Sequence, residues 1–421
     1  MDLSKLTLHE KICQMMVVKA DPKKHIAQYG SIKNFMEQYP VGGIFIAREI
    51  QNDKSIDRKK FAEIVAEYQK YSKIPLLVAA DSESGTGFLG KDYITLPPPM
   101  ALGSSRDKSL AYDYGKAIAQ QCRTVGVNWA FAPVCDMIFN KFNEIVRHRS
   151  ISNDPQLQAE MLAEEIKGFQ EHGVLTTGKH FPGDGCDARN QHIVGSVNNL
   201  SRQEWLETYG KVYKSSFDAG MMAVMVGHIS VPAFQNDAVD GVYPPASLSA
   251  DAMRLLKEEL GFKGVAITDA MDMGGFVRWK FDRRKAEVEA FKAGLDMMLW
   301  PREETAELIE KAITNGEIPM SRLDDAVTRI QALKETIPDF GAIPEQYDSS
   351  LEFAKETQSK IAAKSATLYK NKLNLLPIDG SKIKKVRIIT GVEYLMEGRD
   401  YADRLADFIA DEFKKHGAEV D

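Results

Sequence analysis

Short apolar runs recur along the chain, and each is followed by a polar turn and then by a longer segment whose apolar residues have helical spacing. This alternation predicts a parallel sheet whose strands are joined by crossover helices. Eight runs have the length and β-branched character of strands, and they span residues 16–19, 43–46, 76–80, 129–133, 176–180, 223–226, 265–268 and 296–299. Eight consecutive strand and helix units predict closure into a (β/α)8 barrel.

Polar side chains stand where several of these predicted strands end. Asp81 follows the third strand, Lys179 and His180 end the fifth, His228 follows the sixth, and Asp269 follows the seventh. The carboxyl ends of barrel strands share one face, so these side chains are expected to converge at one mouth. Each residue taken singly has a structural alternative, because polar groups at strand ends also cap helices and fasten loops.

The helical pattern is interrupted at residues 337–344, which contain two prolines and a glycine. This predicts a barrel domain over 1–336 and, over 337–421, a linker with the start of a smaller α/β domain. The elements predicted in this second part are a helix at 349–366, a strand at 386–390 and an amphipathic helix at 401–415. So few elements bury little core of their own, so we expect them to pack on the barrel or to begin a second domain.

Composition excludes several classes of function. The formal net charge of −6 over 421 residues provides no basic surface for phosphates, so no nucleic-acid partner is expected. The longest apolar stretches, such as 221–226 and 297–300, are far shorter than the ~20 residues that span a bilayer, so no membrane partner is expected. The N-terminal residues lack the apolar run of a secretory signal, which favours a cytoplasmic location.

The sequence also argues against a cofactor. The four cysteines, Cys13, Cys122, Cys135 and Cys186, have no paired spacing and are predicted to be reduced. Cys186 is expected to be a packing residue, because no base adjoins it in sequence. The chain shows no metal-ligand cluster, no dinucleotide fingerprint and no phosphate-binding lysine loop, so we expect neither a metal nor a cofactor.

Three stretches resemble glycoside hydrolase family 3. The first is the segment KHFPGDG at 179–185, which is followed by His192. The second begins with ASLS at 246–249 and continues through LGFKGVAITD at 260–269, and the third is 290–297. The opening helix and the segment 368–377 resemble the family as well, so the resemblance covers essentially the whole chain. The KHFPG form with a histidine nearby is most similar to the β-N-acetylglucosaminidase, or β-hexosaminidase, branch.

This resemblance implies a retaining exo-glycosidase that releases terminal β-linked N-acetylglucosamine or a related N-acetylhexosamine. Retention needs a carboxylate that attacks the anomeric carbon and a group that first protonates the leaving oxygen and then deprotonates water. Asp269 matches the family's nucleophile. His192 matches an acid/base histidine on a mobile loop after the fifth strand, and a histidine titrates near neutrality, as this double role requires.

The chain departs from the family beside that histidine. The branch pairs the histidine with an aspartate two residues earlier, whereas this chain has Asn190. An amide can orient the ring but stabilises the imidazolium less than a carboxylate does. Three interpretations stay open: a natural variant with slower turnover, an engineered inactivating substitution, or a different acid such as Asp184 or Asp187.

Sugar binding is implied for residues elsewhere at the mouth. Charged groups make the stronger hydrogen bonds to hydroxyls, and the positions that match the family's substrate-binding residues are Asp81, Arg149, Lys179 and His180. His228 is predicted to line the pocket, with simple packing as the alternative. Residues 84–86 are Ser-Gly-Thr, where relatives of this branch carry paired glycines and arginine, so the details of this subsite are expected to differ.

Other functions remain alternatives at this stage. The chain could be a β-glucosidase or a glycoside phosphorylase of the same family, since a neutral imidazole leaves less negative charge near the glycosyl-enzyme and lets phosphate compete with water. It could also be a sugar-binding protein whose catalysis is impaired by Asn190. In every case the expected partner is a small carbohydrate, such as a β-N-acetylglucosaminide, an amino-sugar oligosaccharide or a muropeptide.

Overall fold

The computed structural model describes residues 5–46, 56–86, 92–279, 282–372, 374–389 and 399–421. Its central sheet has eight parallel strands, which we label in chain order β1 (Met16–Ala20), β2 (Gly43–Ile46), β3 (Leu77–Ala80), β4 (Trp129–Ala130), β5 (Leu175–Phe181), β6 (Ala223–Val226), β7 (Val265–Thr268) and β8 (Met298–Leu299). Each predicted strand overlaps one of these, and β2, β6 and β7 have the predicted bounds. The eight predicted strands are therefore confirmed.

The strands pair in chain order and close into a ring. Val17 of β1 lies opposite Gly43 of β2, and the same parallel register continues around the sheet. β8 pairs with β1, while Met297, immediately before β8, bridges to Ile267 of β7. The sheet therefore has no free edge, and the predicted (β/α)8 barrel is confirmed.

Helices surround this barrel, and several begin at polar caps. The Thr7 hydroxyl accepts from the backbone of Glu10, whose carboxylate in turn accepts from the Thr7 backbone. Among the described residues up to position 366, the α-helices are Leu8–Cys13, Pro22–Tyr29, Ile32–Gln38, Arg58–Tyr71, Pro99–Ser105, Lys108–Arg123, Pro155–Gln170, Arg202–Trp205, Lys211–Asp218, Ala250–Arg254, Gly274–Val277, Arg283–Ala293, Thr305–Thr314, Met320–Glu335 and Tyr347–Ser365. Within the described residues, no helix is both long and apolar enough to traverse a bilayer.

Aromatic side chains from neighbouring strands fill part of the core. Phe45 of β2 stacks on Phe131 with ring centroids 5.6 Å apart, and Trp129 of β4 meets Phe131 edge-on at 5.0 Å. The buried indole N–H of Trp129 donates to the hydroxyl of Thr177 at 2.7 Å, so it is satisfied inside the protein. Such a barrel interior is packed rather than hollow, which leaves the strand ends as the place for ligands.

The chain divides into two compact units, Met1–Ala366 and Thr367–Asp421. The first unit continues past residue 336, where the predicted barrel domain ends, because Tyr347–Ser365 is fastened to it. Tyr347 donates to the Asp92 carbonyl at 2.6 Å, and Gln358 donates to the Thr95 carbonyl at 2.7 Å.

The second unit contains a parallel pair of short strands, Lys385–Val386 and Glu419–Val420, together with the helix Arg399–Lys415. The predicted strand at 386–390 overlaps the first of these strands, and its residue 390 lies outside the described residues. The predicted helix at 401–415 lies within Arg399–Lys415. Both predicted elements are therefore present.

Candidate active site

Asp269 lies directly after β7, at the carboxyl end of the barrel. Its backbone N–H donates to the carbonyl of Val226 in β6 at 2.9 Å, which fixes the main chain at the strand end. One carboxylate oxygen accepts from the backbone N–H of Ala270 at 2.7 Å, and the other lies 4.0 Å from Nε2 of His180. The residue is only 7% exposed. A buried carboxylate at a barrel mouth therefore faces an imidazole from another strand.

Histidines around Asp269 keep it ionised. Burial alone would raise the pKa of Asp269, but His180, His228 and His192 together with the Ala270 N–H outweigh burial, and the net effect lowers the pKa below its usual value. The group is thus an anion at neutral pH. An ionised carboxylate is the form that a nucleophilic role requires.

A second cluster of charges lies beside it, around Lys179 at the end of β5. The Lys179 ammonium is 2.8 Å from a carboxylate oxygen of Asp81 and 2.6 Å from one of Glu83. Glu83 also accepts two hydrogen bonds from the Arg149 guanidinium, both at 2.7 Å. The Lys179 side chain is 3% exposed, whereas that of Asp81 is 58% exposed. Asp81 is therefore the member of this cluster that is most open to a ligand.

Opposite charges in this cluster hold Lys179 and Glu83 in their charged forms. Burial disfavours the ammonium of Lys179, but Asp81 and Glu83 outweigh burial and raise its pKa. Burial likewise opposes ionisation of Glu83, yet Arg149 and Lys179 hold the pKa of its carboxyl well below the usual range. Charged donors and acceptors of this kind make strong hydrogen bonds to sugar hydroxyls.

His180 is oriented by a buried aspartate, Asp136. One Asp136 oxygen accepts from Nδ1 of His180 at 2.7 Å, and the other accepts from the backbone N–H groups of His180 and Asp184 at 3.1 and 2.7 Å. Because Nδ1 donates to Asp136, Nε2 is the ring nitrogen that faces Asp269. Asp136, which follows β4 in the chain, therefore fixes His180 through the ring nitrogen that does not face Asp269.

Asn190 and His192 contact each other on the loop after β5. The backbone N–H of His192, which can only donate, is 2.9 Å from Oδ1 of Asn190, and Nδ1 of the same histidine is 2.8 Å from the same oxygen. The amide oxygen is thus identified by its backbone donor, so Nδ1 must carry the proton that it shares. In the neutral ring, Nε2 then keeps its lone pair, which is the nitrogen that a general base requires.

The charge state of His192 depends on its surroundings. Although residue 192 is exposed, the protein around its ring displaces enough water to lower the pKa below the ordinary value. The Asp269 carboxylate opposes this effect, whereas the positive potential of His180 and Arg149 adds to it. Asn190 contributes a hydrogen bond but no negative charge. Unlike an aspartate at this position, it therefore does not raise the pKa of His192.

The structure does not bring every predicted pocket residue to the open mouth. His228 is fully buried: its Nε2 donates to the carbonyl of Ala270 at 3.0 Å, and its Nδ1 accepts from the Ser247 hydroxyl at 2.8 Å. Both ring nitrogens are thus engaged within the protein. Burial also lowers the pKa of His228, and the hydrogen bond of its ring to Ala270 supports the main chain beside Asp269.

Asp184, Asp187 and Cys186 lie in the same segment after β5. Burial and the nearby charge of Asp136 raise the pKa of Asp184 to about 6. The carboxylate of Asp187 is paired with Arg189 at 2.6 Å, outside the network around Asp269. Burial raises the pKa of Cys186 to about 11, so this residue is a thiol at neutral pH. None of the three contacts Asp269 through a hydrogen bond within the described part of the chain.

Three residues that sequence reasoning did not single out complete the site, namely Glu83, Asp136 and Gln191. The first two had a usable signal, because Glu83 lies three residues after the end of β3 and Asp136 follows β4, and strand ends point to the mouth. Gln191 lies between Asn190 and His192, and its sequence neighbourhood gives no signal for its buried side chain. Among the described residues, no three His, Cys, Asp or Glu side chains are grouped as a metal site would need.

The fold and the site define the class of protein. It is an eight-stranded α/β barrel whose mouth holds the buried carboxylate of Asp269, the imidazoles of His180 and His192, and a cluster of charged hydrogen-bonding groups around Lys179. The sequence profile of the glycosyl hydrolase family 3 N terminal domain matches residues 7–333. The chain belongs to this family, and the resemblance deduced from its motifs is confirmed.

Relatives of known name are found within this family. A beta-N-acetylglucosaminidase/beta-glucosidase of Cellulomonas fimi is 32% identical over 363 residues, which cover 83% of this chain and 62% of that protein. A beta-hexosaminidase of Mycobacterium tuberculosis, LpqI, is 28% identical over 80% of this chain and 85% of its own length. The chain thus spans about three fifths of the Cellulomonas relative.

Solved structures of relatives have the same fold. A beta-glucoside phosphorylase, BglX, with bound 2FGlc has a TM-score of 0.88 and 29% identity, covering 100% of this chain and 76% of that one. A family 3 β-N-acetylglucosaminidase from Paenibacillus sp. has a TM-score of 0.78 and 26% identity, covering 92% of this chain and 74% of that one. The barrel fold and its family are therefore shown by both sequence and structure.

Proposed function

We propose that this protein is a retaining exo-glycosidase that removes terminal β-linked N-acetylhexosamine, with N-acetylglucosamine as the preferred sugar. The observation that carries the proposal is the buried, ionised Asp269 at the barrel mouth, with the ring of His180 4.0 Å away and the Asn190–His192 pair on the adjoining loop. A carboxylate nucleophile with a separate proton donor is the arrangement that retention requires.

The chemistry proceeds in two steps. A carboxylate oxygen of Asp269 bonds to the anomeric carbon while Nε2–H of His192 gives its proton to the leaving oxygen, and the aglycone departs as an alcohol. The neutral Nε2 then takes a proton from water, whose oxygen displaces Asp269 from the anomeric carbon. The Nδ1 proton held by Asn190 stays in place throughout, so one nitrogen serves both steps.

The charged cluster supplies the sugar-binding groups. The partly open Asp81 carboxylate accepts from hydroxyls of the terminal ring, while Lys179 and Arg149 donate to them, each held in position by Glu83. We assign the N-acetylhexosamine preference from the names of the relatives, several of which are beta-hexosaminidases. We also propose that residues 1–336 are the catalytic domain and that 337–421 contain a linker, whose helix Tyr347–Ser365 packs on the first unit, and an α/β segment.

A fluorinated glycosyl donor tests the proposal. A 2-deoxy-2-fluoro or 5-fluoro donor with an activated leaving group should label the protein, and peptide mass spectrometry should find the sugar on Asp269. Asp269→Asn should not be labelled. Binding of the sugar without any covalent label would instead favour a carbohydrate-binding protein and would remove Asp269 from the nucleophile role. A panel of aryl N-acetylglucosaminides and glucosides then ranks the sugars.

Phosphorolysis of a β-glucoside is the second candidate, and two observations favour it. The phosphorylase BglX structure superimposes over the full length of this chain with a TM-score of 0.88. In addition, neither Asn190 nor a neutral His192 places negative charge where an incoming phosphate dianion would have to approach. The test is to measure turnover with and without inorganic phosphate: release of a sugar 1-phosphate supports phosphorolysis, and exclusive release of free sugar supports hydrolysis.

A further inference from the structure

Gln191 lies between the two residues of the proposed dyad, but its side chain has the opposite environment. His192 is exposed, whereas Gln191 is 0% exposed. A buried amide that lacks hydrogen-bond partners destabilises a protein, so a buried glutamine side chain is normally hydrogen-bonded. The partners of Gln191 therefore show what holds this part of the loop.

Those partners lie at three different places in the chain. The Nε2 group of Gln191 donates to the carboxylate of Asp184 at 3.2 Å, and its Oε1 accepts from the backbone N–H of His228 at 2.9 Å. Its carbonyl accepts from the backbone N–H of Gly275 at 3.0 Å. Asp184 lies earlier in the same loop, His228 follows β6, and Gly275 lies in the helix Gly274–Val277, so Gln191 connects its part of the loop to two other elements and to the start of the loop.

Glycines make the room that this arrangement needs. A Cβ added at Gly227 would lie 3.0 Å from Oε1 of Gln191, and one at Gly275 would lie 2.7 Å from the Gln191 carbonyl oxygen. Asp184 is itself fixed, because one of its oxygens accepts from Asn143 at 2.9 Å and from the backbone of Gly185 at 2.6 Å. The side chain of Gln191 is therefore closely packed, and its hydrogen-bond partners are themselves held in position.

Asn190 does not attach the loop to another element. Both of its side-chain hydrogen bonds go to His192, two residues away on the same loop. They fix the imidazole relative to the loop but not the loop relative to Asp269. Gln191 connects the part of the loop around His192 to the main chain after β6, because its side chain accepts from the backbone N–H of His228. Since misplacing a catalytic group by ~1 Å can cost about 10²-fold in rate, this connection matters for proton transfer.

We propose that Gln191 is a positioning residue, which holds the His192 loop against the barrel so that Nε2 reaches the leaving oxygen above Asp269. This inference rests on the proposed function. It makes a prediction that a merely structural role does not: losing Gln191 should damage proton donation selectively, and only substrates with poor leaving groups depend on proton donation.

The experiment uses the full chain and aryl N-acetylglucosaminides with leaving groups from phenyl to 2,4-dinitrophenyl. Gln191→Met keeps the length of the side chain and removes both amide bonds. It should lower kcat/KM for the phenyl substrate by about 10²-fold, the size of one acid/base contribution, and change the dinitrophenyl substrate only slightly. Azide, which attacks the glycosyl-enzyme without base assistance, should accelerate turnover of the dinitrophenyl substrate in the variant and not in the wild-type protein.

Two reference variants fix the interpretation. His192→Ala gives the full leaving-group dependence of a missing acid/base. Gln121→Met is the matched control, because Gln121 is also fully buried, accepts from the Ile94 backbone at 2.8 Å and donates to the Ala117 carbonyl at 3.3 Å, and has no hydrogen bond to the His192 loop among the described residues. It should affect all leaving groups alike.

Three results would overturn the inference. An equal loss for all leaving groups in Gln191→Met, as in Gln121→Met, overturns the inference while the proposed function stands. No leaving-group dependence in His192→Ala overturns the acid/base assignment and this inference with it. If Gln191→Met does not fold, Gln191→Asn, which keeps the amide but is shorter by one methylene, should show the same selectivity to a smaller degree, and a uniform loss there overturns the inference equally.

Discussion

At the residue scale, one amide oxygen decides which nitrogen of His192 carries a proton. Oδ1 of Asn190 accepts from both the backbone N–H and Nδ1 of that histidine, so the orientation of the ring is the one an aspartate would impose. What the amide lacks is charge. The substitution therefore separates two effects that an aspartate combines, orientation of the imidazole and stabilisation of the imidazolium.

Asn190→Asp is expected to raise kcat/KM on an aryl N-acetylglucosaminide by roughly an order of magnitude or more, in line with acid/base contributions. A carboxylate would favour the imidazolium and raise the pKa of His192, which is now lowered. Activity that needs protonated His192 should then persist to higher pH, so the alkaline limb of the pH profile should move upward. An unchanged rate and profile would remove Asn190 from the mechanism. Asn190→Ala is the control that removes orientation as well.

Glu165 carries a second prediction at this scale. This residue of the helix Pro155–Gln170 is 1% exposed, and one of its oxygens has no hydrogen-bond partner among the residues that the structure describes. Burial, followed by the charge of Glu83, raises its pKa to about 8. The folded protein then binds more protons than the unfolded chain between roughly pH 4.5 and 8. Stability contributed by this group is therefore lost as pH rises through that window.

Glu165→Gln removes this titration. The free energy of unfolding of the variant relative to the wild-type protein should increase from pH 5 to pH 8, by at most about 1.4 kcal/mol for each pH unit inside the window. Urea unfolding at several pH values measures it. Glu164→Gln is the control, because Glu164 is partly exposed and paired with Lys167 at 2.6 Å. A difference that does not change with pH would contradict the assignment.

At the element scale, the short helix Gly274–Val277 serves as a support for the His192 loop. The backbone N–H of Gly274 donates to the carbonyl of His192 at 2.7 Å. The loop lies so close that a Cβ at Gly274 would be 2.0 Å from the carbonyl oxygen of Ile193. The contact between these two elements therefore depends on the absence of a side chain.

Gly274→Ala should consequently push the loop away from the helix. We expect a loss of about 1–3 kcal/mol in stability, typical of overpacking, together with a larger loss of activity on poor leaving groups than on good ones. Thermal unfolding and the leaving-group series measure the two effects. Gly195→Ala is the matched control, because a Cβ there meets nothing within 4 Å although the residue belongs to the same loop. Equal effects of the two substitutions would show that the loop tolerates displacement.

At the scale of the whole molecule, the principal core lies entirely within the first compact unit. Its buried apolar residues run from Ile12 to Ile361, and the first unit ends at Ala366. A chain ending at Ala366 should therefore unfold cooperatively, with a Tm within about 4 °C of the full chain, since 1 kcal/mol corresponds to some 2–4 °C in domains of about 150–250 residues and to less in larger ones. Calorimetry on both proteins checks this. A large drop in Tm or the loss of a single transition would show that residues 367–421 are needed for the core.

The fold was predictable because its signal is local. An apolar run between a turn and a helical segment is a strand in this architecture, and repetition of the unit eight times leaves closure as the favoured outcome. Strand bounds differed mainly at β4 and β8, where only two residues of each predicted run keep regular pairing. Strand ends also located Asp269, Lys179, His180 and Asp81 at the same mouth.

The rest of the site was less predictable because its contacts join residues far apart in sequence. Glu83 binds Arg149 across 66 positions, and Asp136 binds His180 across 44. His228 shows the same limit in the other direction: it ends a strand as expected, yet its ring is committed to Ser247 and Ala270. The sequence predicts that a polar residue lies at a strand end, but it does not predict whether that residue binds a ligand or another part of the protein.

The sequence by itself determined the barrel, the family and the candidate nucleophile and proton donor, because hydrophobic periodicity and short motifs are properties of neighbouring residues. Only the tertiary structure decided that Glu83 binds both Lys179 and Arg149, that Asp136 orients His180, and that Gln191 binds the main chain after β6 and the helix Gly274–Val277. These contacts are made by closing the barrel, which brings segments tens of residues apart within hydrogen-bonding distance, and hydrogen bonds act only at that range.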